Sequence, residues 1–538
     1  MQGREWWRGA VIYQVYLPSF LDSDGDGTGD LPGLRDRLGY IADLGVDAIW
    51  ISPFYPSPQR DFGYDVVDYR SIDPRFGSQA DFDRVVARAH KLGLKVLIDQ
   101  VWSHTSSDHP WFEESRASAG NARADWYVWA DPREDGTPPN NWLSVFGGSA
   151  WRWEPTRRQY YLHHFLPTQP KLNLRNKAVL AEHFTTAEYW LGRGVDGFRL
   201  DAVDFMLHDP HLGDNPANPA TVGAPPINPF RMQQHLRDMS HADTHALIAD
   251  IRTFMNRYPE ATTIGELSSE PAAARRVAAM TGKTRLHMAY TLAVSKSEFS
   301  AAALRKVLAE TIELRRSGWP CWSFNNHDVA RAASRWNASG IEPARFAVLQ
   351  MALLLSLPGS ASLFQGEELG LPNAKIPLDR MRDPFGLRFY PAFHGRDGSR
   401  TPMPWAAGVR NLGFSRAEDT WLPIAPAHAA LTVDRQQQDP LSTLAAYRAM
   451  LAWRKRNRAS IESEVSLLDL ADPLLGFRHD NGAGAVIAIF NFAATPAAIP
   501  LSTLPRFQVA EELGFAARPV DGTLGLPPFG VTLGLTES

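Results

Sequence analysis

One cysteine, Cys321, stands in a chain of 538 residues. That excludes an internal disulfide framework, and no His and Cys residues carry the spacing of a zinc site. No run of roughly eighteen apolar residues is present, so no membrane-spanning helix is expected. Behind the basic residue of Met1-Gln-Gly-Arg-Glu-Trp-Trp-Arg8 there is no continuous apolar stretch, which predicts no signal peptide and a cytoplasmic location. Neither sign of charge dominates. The formal net charge is −4 and no long basic run occurs, so neither nucleic acid nor a membrane is an expected partner. A Gly-rich phosphate loop, a Ser-His-Asp spacing, internal repeats and low-complexity tracts are lacking too.

Aromatic residues are abundant instead, at 11% of the chain with 17 Trp. Their faces stack on flat apolar surfaces, sugar rings among them, although most aromatic side chains serve simply as core. The length allows one large domain with one or two smaller ones.

Strand patterns fall at Val11–Tyr16, Val46–Ile51, Lys95–Asp99, Gly194–Asp201, Thr262–Glu266, His287–Tyr290, Cys321–Asn325 and Ser360–Gln365. Helical patterns at Asp81–Lys91, Ala178–Leu191, Ala246–Tyr258, Glu298–Arg316 and Pro343–Leu355 separate most of them. Eight strands with intervening helices predict an α/β fold, a closed (β/α)8 TIM barrel rather than an open sheet. Two segments break the rhythm. The barrel is therefore expected in two parts, 1–104 and 172–459, around a small inserted domain after strand three at 105–171, rich in Trp, Pro, Asn and Tyr. A loop subdomain heavy in Pro, Arg and Gly is expected after strand eight, at about 368–430. From 460 to 538, short strand patterns such as Leu475–Arg478 and Ala485–Asn491 alternate with turn residues and predict a C-terminal all-β domain.

Active sites of such barrels lie at the C-terminal rim of the strands. Strand three runs into Asp99 and, beyond it, His104; strand four ends in Arg199 and Asp201, strand five in Glu266, and strand seven at His327 and Asp328, while strand eight leads to Glu367. Any one of these is consistent with a capping role; several on one rim point to chemistry. Without other machinery, that chemistry falls to carboxylates. Two carboxyls flanking a bond, one ionised and one protonated, are the apparatus of glycoside hydrolysis. Arg199 and Asp201, two apart on a strand, point to the same side, as a structural ion pair or as a cation holding a nucleophile ionised. Glu266 follows Thr-Ile-Gly with no obvious cation beside it, which suits a general acid. It is preferred to Glu270, four residues on, because it closes the strand.

Asp22-Ser-Asp-Gly-Asp-Gly-Thr-Gly-Asp30 places Asp22, Asp24, Asp26 and Asp30 at alternating positions, with the carbonyl of Thr28 at the seventh. This is a hard-cation ligand set like the first part of an EF-hand loop, although Gly33 stands where an EF-hand has its bidentate Glu. Four carboxylates so close would repel one another without a cation, so a metal is expected.

Asp99-Gln-Val-Trp-Ser-His104, Gly197-Phe-Arg-Leu-Asp201, Gly265-Glu266 and Asn325-Asn-His-Asp328 resemble, in order, the four strand-end motifs of the α-amylase superfamily, glycoside hydrolase family 13. Trp6–Tyr16, Asp61-Phe-Gly-Tyr-Asp65, Gln365–Gly370 and Gly395–Trp405 are similar to bacterial α-glucosidases of the oligo-1,6-glucosidase and α-glucosyl-transferring type. The resemblance implies a retaining exo-acting α-glucosidase with Asp201 as nucleophile, Glu266 as acid/base and Asp328 as the carboxylate that binds sugar hydroxyls. Asp61, Tyr64, His104, Phe165, Arg199, His327 and Arg400 match positions lining the glucose pocket. No cofactor is implied for the chemistry, and the Asp22–Asp30 loop matches a structural Ca2+ or Mg2+ site. The implied partners are a small oligosaccharide and a sugar or alcohol acceptor, with the chain a monomer or homodimer. Ala202 follows the nucleophile where relatives cutting α-1,6 bonds often carry Val, which points to α-1,4 substrates such as maltose. Sucrose or trehalose isomerisation, oligo-1,6-glucosidase action, endo-amylase action and a non-enzymic member are the alternatives. Two departures are visible: Tyr16-Leu-Pro-Ser-Phe20 for Tyr-Pro-Arg-Ser-Phe, and Gln169-Pro-Lys-Leu-Asn173 for Gln-Pro-Asp-Leu-Asn.

Overall fold

Short apolar runs become eight parallel strands: β1 Val11–Val15, β2 Ala48–Ile51, β3 Lys95–Gln100, β4 Gly197–Leu200, β5 Thr262–Leu267, β6 Met288–Thr291, β7 Cys321–Ser323 and β8 Ser360–Phe364. The computed structural model describes residues 5–267, 273–291, 293–314, 317–336, 343–482 and 484–536. Each strand pairs in parallel with the next, β8 returns to β1, and a bridge from Ala289 to Pro320 brings β6 against β7, so the sheet closes into a barrel.

Alternation along each strand sorts the side chains. Ile12, Trp50, Leu97, Ile264, Met288 and Tyr290 form one buried cluster with Trp7 and Trp319, the inner filling of the barrel. Val11, Tyr13, Val15, Ile49, Ile51, Val96 and Ile98 belong to the larger cluster shared with the surrounding helices. Both faces of the sheet are dry, which is why the strands read as continuous apolar runs. Gly197 opens β4 because a Cβ there would lie 2.3 Å from the Thr262 carbonyl oxygen of β5. Helix starts are also local. Asp30 accepts from Gly33 N at 2.6 Å and caps helix Leu31–Leu44, and Ser78 with Asp81 forms a capping box on helix Gln79–Lys91.

The expected helix Glu298–Arg316 starts at Ala301 and is described to Leu314; Arg315 and Arg316 lie outside the described residues. Residues 105–171 hold helix Pro110–Ala117 and a three-stranded antiparallel sheet of Trp129–Ala130, Trp151–Glu154 and Gln159–Leu162. A bridge between His104 and Lys171 ties the two ends of this segment together. Beyond β8, residues 368–430 are mostly irregular, with helix Pro384–Phe389 and short 3-10 turns. The last part forms a five-stranded and a three-stranded antiparallel sheet from Glu464 onward. A third break in the rhythm lies between Asp201 and helix Thr244–Met255, where the chain makes three 3-10 turns and one isolated bridge, Ala217 to Gln233. This stretch packs on the inserted segment, with the Trp142 indole and Asn140 amide donating to the carbonyls of Gly213 and Leu212. Its wealth of Pro and Asn is the available signal.

Candidate active site

Pairing register puts Asp99 of β3 beside Arg199 of β4, and Glu266 of β5 beside Tyr290 of β6. The Arg199 side chain is fully buried at the centre of these four strands. Its Nη1 donates to Asp99 Oδ1 and Asp201 Oδ1, each at 2.7 Å. Its Nη2 lies 2.7 Å from Glu266 Oε2 and donates to the Tyr290 hydroxyl at 2.8 Å. Glu266 Oε2 also accepts from the backbone N–H of Ala202 at 3.0 Å.

This corrects the expectation that Glu266 has no cation beside it. Arg199 lies opposite Ile264 on the neighbouring strand, and its guanidinium reaches across to the next inward side chain. Both carboxyls therefore share one cation, and Arg199 alone cannot set them apart. Burial pushes Asp201 and Glu266 up to about 7 and Asp99 up to about 6, with Arg199 opposing the rise in each case. Strongly interacting carboxyls titrate as a unit, so near neutrality this pair is poised to hold one proton and one negative charge.

A second group faces it. Asp328 Oδ1 accepts from Arg396 Nη1 and Arg400 Nη2, both at 3.0 Å, and its Oδ2 lies 3.3 Å from His327 Nε2. Burial works to raise Asp328, but His327 and the two guanidinium groups outweigh it and hold the carboxyl well below the usual range. Burial lowers His327 to about 3, so the ring is neutral. Gln14 Nε2 donates to His327 Nδ1 at 2.7 Å, which leaves Nε2 as the N–H turned toward Asp328. Asp61 accepts from Arg396 at 2.9 Å and from Gln169 at 3.0 Å; burial still raises its carboxyl. The Tyr64 ring joins the two groups. It stacks on His327 at 5.2 Å between centroids, and its hydroxyl donates to Asp99 Oδ2 at 3.0 Å. His104, held neutral at about 3 by burial, donates from Nε2 to the Tyr64 carbonyl at 3.0 Å, and Phe165 packs 5.1 Å from its ring.

The structure thus gathers Asp61, Tyr64, His104, Phe165, Arg199, Asp201, Glu266, His327, Asp328 and Arg400 around one rim. Glu367 does not join them: it accepts from Phe364 N at 3.1 Å and faces Tyr447. Glu270 lies outside the described residues. Sequence reasoning missed Arg396, Asp383, Gln169 and Tyr290. Arg396 bonds Asp61, Asp328 and Asp383 together. It sits four residues before Arg400 across the 3-10 turn Asp397–Ser399, inside a stretch already singled out. The departure at Leu17-Pro18 lies in a buried 3-10 turn, whereas the neighbouring Tyr16 ring stacks on His327 at 5.6 Å.

In the acidic loop, Asp22, Asp24 and Asp30 each turn one carboxylate oxygen to within 4.8 Å of the others. Asp26 is outside this group: it is exposed, and its Oδ1 accepts from Thr28 N at 2.7 Å. Burial, with the like charge of Asp24 adding to it, raises the Asp30 carboxyl, the condition a bound cation would relieve. The convergent donors are all hard oxygens and fit Ca2+ or Mg2+.

Residues 14–463 match the family described as alpha amylase, catalytic domain. The chain belongs to the α-amylase family. Its four strand-end motifs are thus those of glycoside hydrolases. It is 45% identical over 535 residues to a probable alpha-glucosidase of Rhizobium meliloti, covering 98% of this chain and 96% of that one. It is 36% identical over 503 residues to an oligo-1,6-glucosidase of Heyndrickxia coagulans, covering 86% and 88%. Among solved structures, an alpha-glucosyl transfer enzyme, XgtA, superposes with a TM-score of 0.95 at 48% identity, covering 99% of this chain and 100% of that one. The trehalulose synthase MutB from Pseudomonas mesoacidophila MX-45 superposes with a TM-score of 0.89 at 29% identity, with the same coverage. Among the described residues, no helix is long and apolar enough to cross a membrane.

Proposed function

We propose that this family member is a retaining, exo-acting α-glucosidase that cleaves the terminal α-glucosyl unit of short substrates and passes it to water or to a sugar or alcohol hydroxyl. The observation that carries this reading is Arg199 holding Asp201 and Glu266 on its two terminal nitrogens, opposite Asp328. Asp201 Oδ attacks the anomeric carbon while Glu266 gives its proton to the departing oxygen. Glu266 then takes a proton from the incoming hydroxyl, which displaces Asp201. Asp328, bonded to two guanidinium groups and facing the His327 N–H, is ionised and fixed, ready to accept hydrogen bonds from glucose hydroxyls. Tyr64 and Phe165 offer the ring an apolar surface.

Proton NMR of a fresh maltose digest tests the mechanism. Double displacement releases the cleaved glucose first as the α anomer; β-glucose appearing first overturns it. An α-1,4 preference is supported by the small Ala202 side chain beside Glu266. A time course on maltose, isomaltose, sucrose, trehalose and starch separates this from oligo-1,6-glucosidase, isomerase and endo-amylase action. The proposal extends to a structural Ca2+ or Mg2+ held by Asp22, Asp24 and Asp30, and to a cytoplasmic monomer or homodimer.

A further inference from the structure

Lys171 is a buried ammonium in an unexpected place. Its side chain reaches inward from the exit of the inserted segment, where its backbone is pinned by Leu162 O, Val128 N and the bridge to His104. Among the described residues, no carboxylate pairs with it. Its Nζ instead donates to two main-chain carbonyls, Phe205 O at 2.6 Å and Met206 O at 2.9 Å. Burial pushes it down to about 7, and charged or neutral it carries two donors for these two acceptors.

The carbonyls belong to the turn that leaves β4 directly after Asp201. Ala202 sits there in left-handed backbone, φ +46°, and Phe205 N and Met206 N close the turn onto Ala202 O and Val203 O. The first N–H of that turn is the one Glu266 accepts. The Phe205 ring packs 5.0 Å from Phe165, which packs on His104. The leaving oxygen departs on the Glu266 side, and by microscopic reversibility the incoming hydroxyl arrives there. The 202–206 turn is thus a wall of the acceptor site, and Lys171 clamps it from behind.

Resting on the glucosidase reading above, we propose that Lys171 is a positioning residue for the second half of the reaction, fixing the 202–206 turn so that a sugar or alcohol competes with water for the glucosyl unit. In that step the bond from the anomeric carbon to Asp201 breaks and a bond to the acceptor oxygen forms. The acceptor proton goes to Glu266. A loosened wall lowers the occupancy of an ordered acceptor but not the access of water.

The test uses p-nitrophenyl α-glucoside as donor and xylose, a sugar with no glycosidic bond to cleave, as acceptor. Nitrophenol counts every turnover, free glucose counts hydrolysis, and their difference is transfer. In Lys171→Met, which loses both hydrogen bonds, the ratio of transfer to hydrolysis should fall at least about three- to tenfold, the range expected from losing a single one, with Lys171→Gln, which keeps an amide donor, falling less. The ratio is taken from one intermediate, so losing part of the folded enzyme does not move it. If Lys171→Met fails to fold, the ratio in Lys171→Gln decides. A wild-type ratio in every variant that folds overturns the proposal. Failure of the underlying reading looks different, as the wild-type enzyme would then release no nitrophenol.

Discussion

Replacing Arg199 by Met removes the one cation shared by Asp99, Asp201 and Glu266 while keeping a similar buried length. With Arg199 present, burial already holds Asp201 at about 7. Loss of an adjacent cation raises a carboxyl by a further 1–3 units or so. With a rise of about 2 units, the ionised fraction of Asp201 at pH 7 falls from roughly a half to roughly a hundredth, an approximately fifty-fold loss of activity from charge alone. A carboxyl whose pKa rises is ionised only at higher pH, so the acid limb of kcat/KM must move to the alkaline side. Stability follows the same sign. The folded variant binds more protons than the unfolded chain between the ordinary carboxyl range and the raised pKa, so its stability declines as pH rises through that window. The assay is a pH profile of kcat/KM on p-nitrophenyl α-glucoside, with thermal melts at acid and alkaline pH. Arg199→Lys, which keeps a charge, should show a smaller displacement. An acid limb that stays put while kcat collapses would falsify the reasoning, because Arg199 would then act through contact with substrate and not through charge.

Two further sites carry expected outcomes. Ala202→Val places a β-branched residue in left-handed backbone at φ +46°, where bulky side chains are far less tolerated than alanine, so it should lower the thermal midpoint. Ala202→Gly should be neutral or slightly stabilising, because relief of backbone strain offsets glycine's larger entropy in the unfolded chain; a Val variant more stable than the parent refutes the strain. Chelation of the proposed cation should lower the thermal midpoint without changing kcat at low temperature, and Ca2+ or Mg2+ should restore it. A midpoint indifferent to chelator and to Asp24→Asn removes the metal from the account.

Capping and alternation act over a few residues, so the linear chain carries them. Asp30, Ser78 and the apolar runs of β1 to β8 define their elements by contacts within one turn or one pleat. Order along the chain likewise sets which carboxyl stands at which strand end, because a parallel barrel brings all those ends to one rim. That is why the meeting of Asp201, Glu266 and Asp328 at one rim is legible in the linear sequence. What lies between strands was not. Arg199 reaches Glu266 because of the register of β4 on β5, and Arg396 meets Asp61 across 335 positions of sequence. Gln169 and Tyr290 join the rim the same way. Lys171 read as a substitution at a domain exit. Only the packing of the inserted segment on the turn after Asp201 gave its ammonium two carbonyls to hold. Hydrogen bonds and buried charges depend on distance in space, and the sequence specifies those distances only through the completed fold.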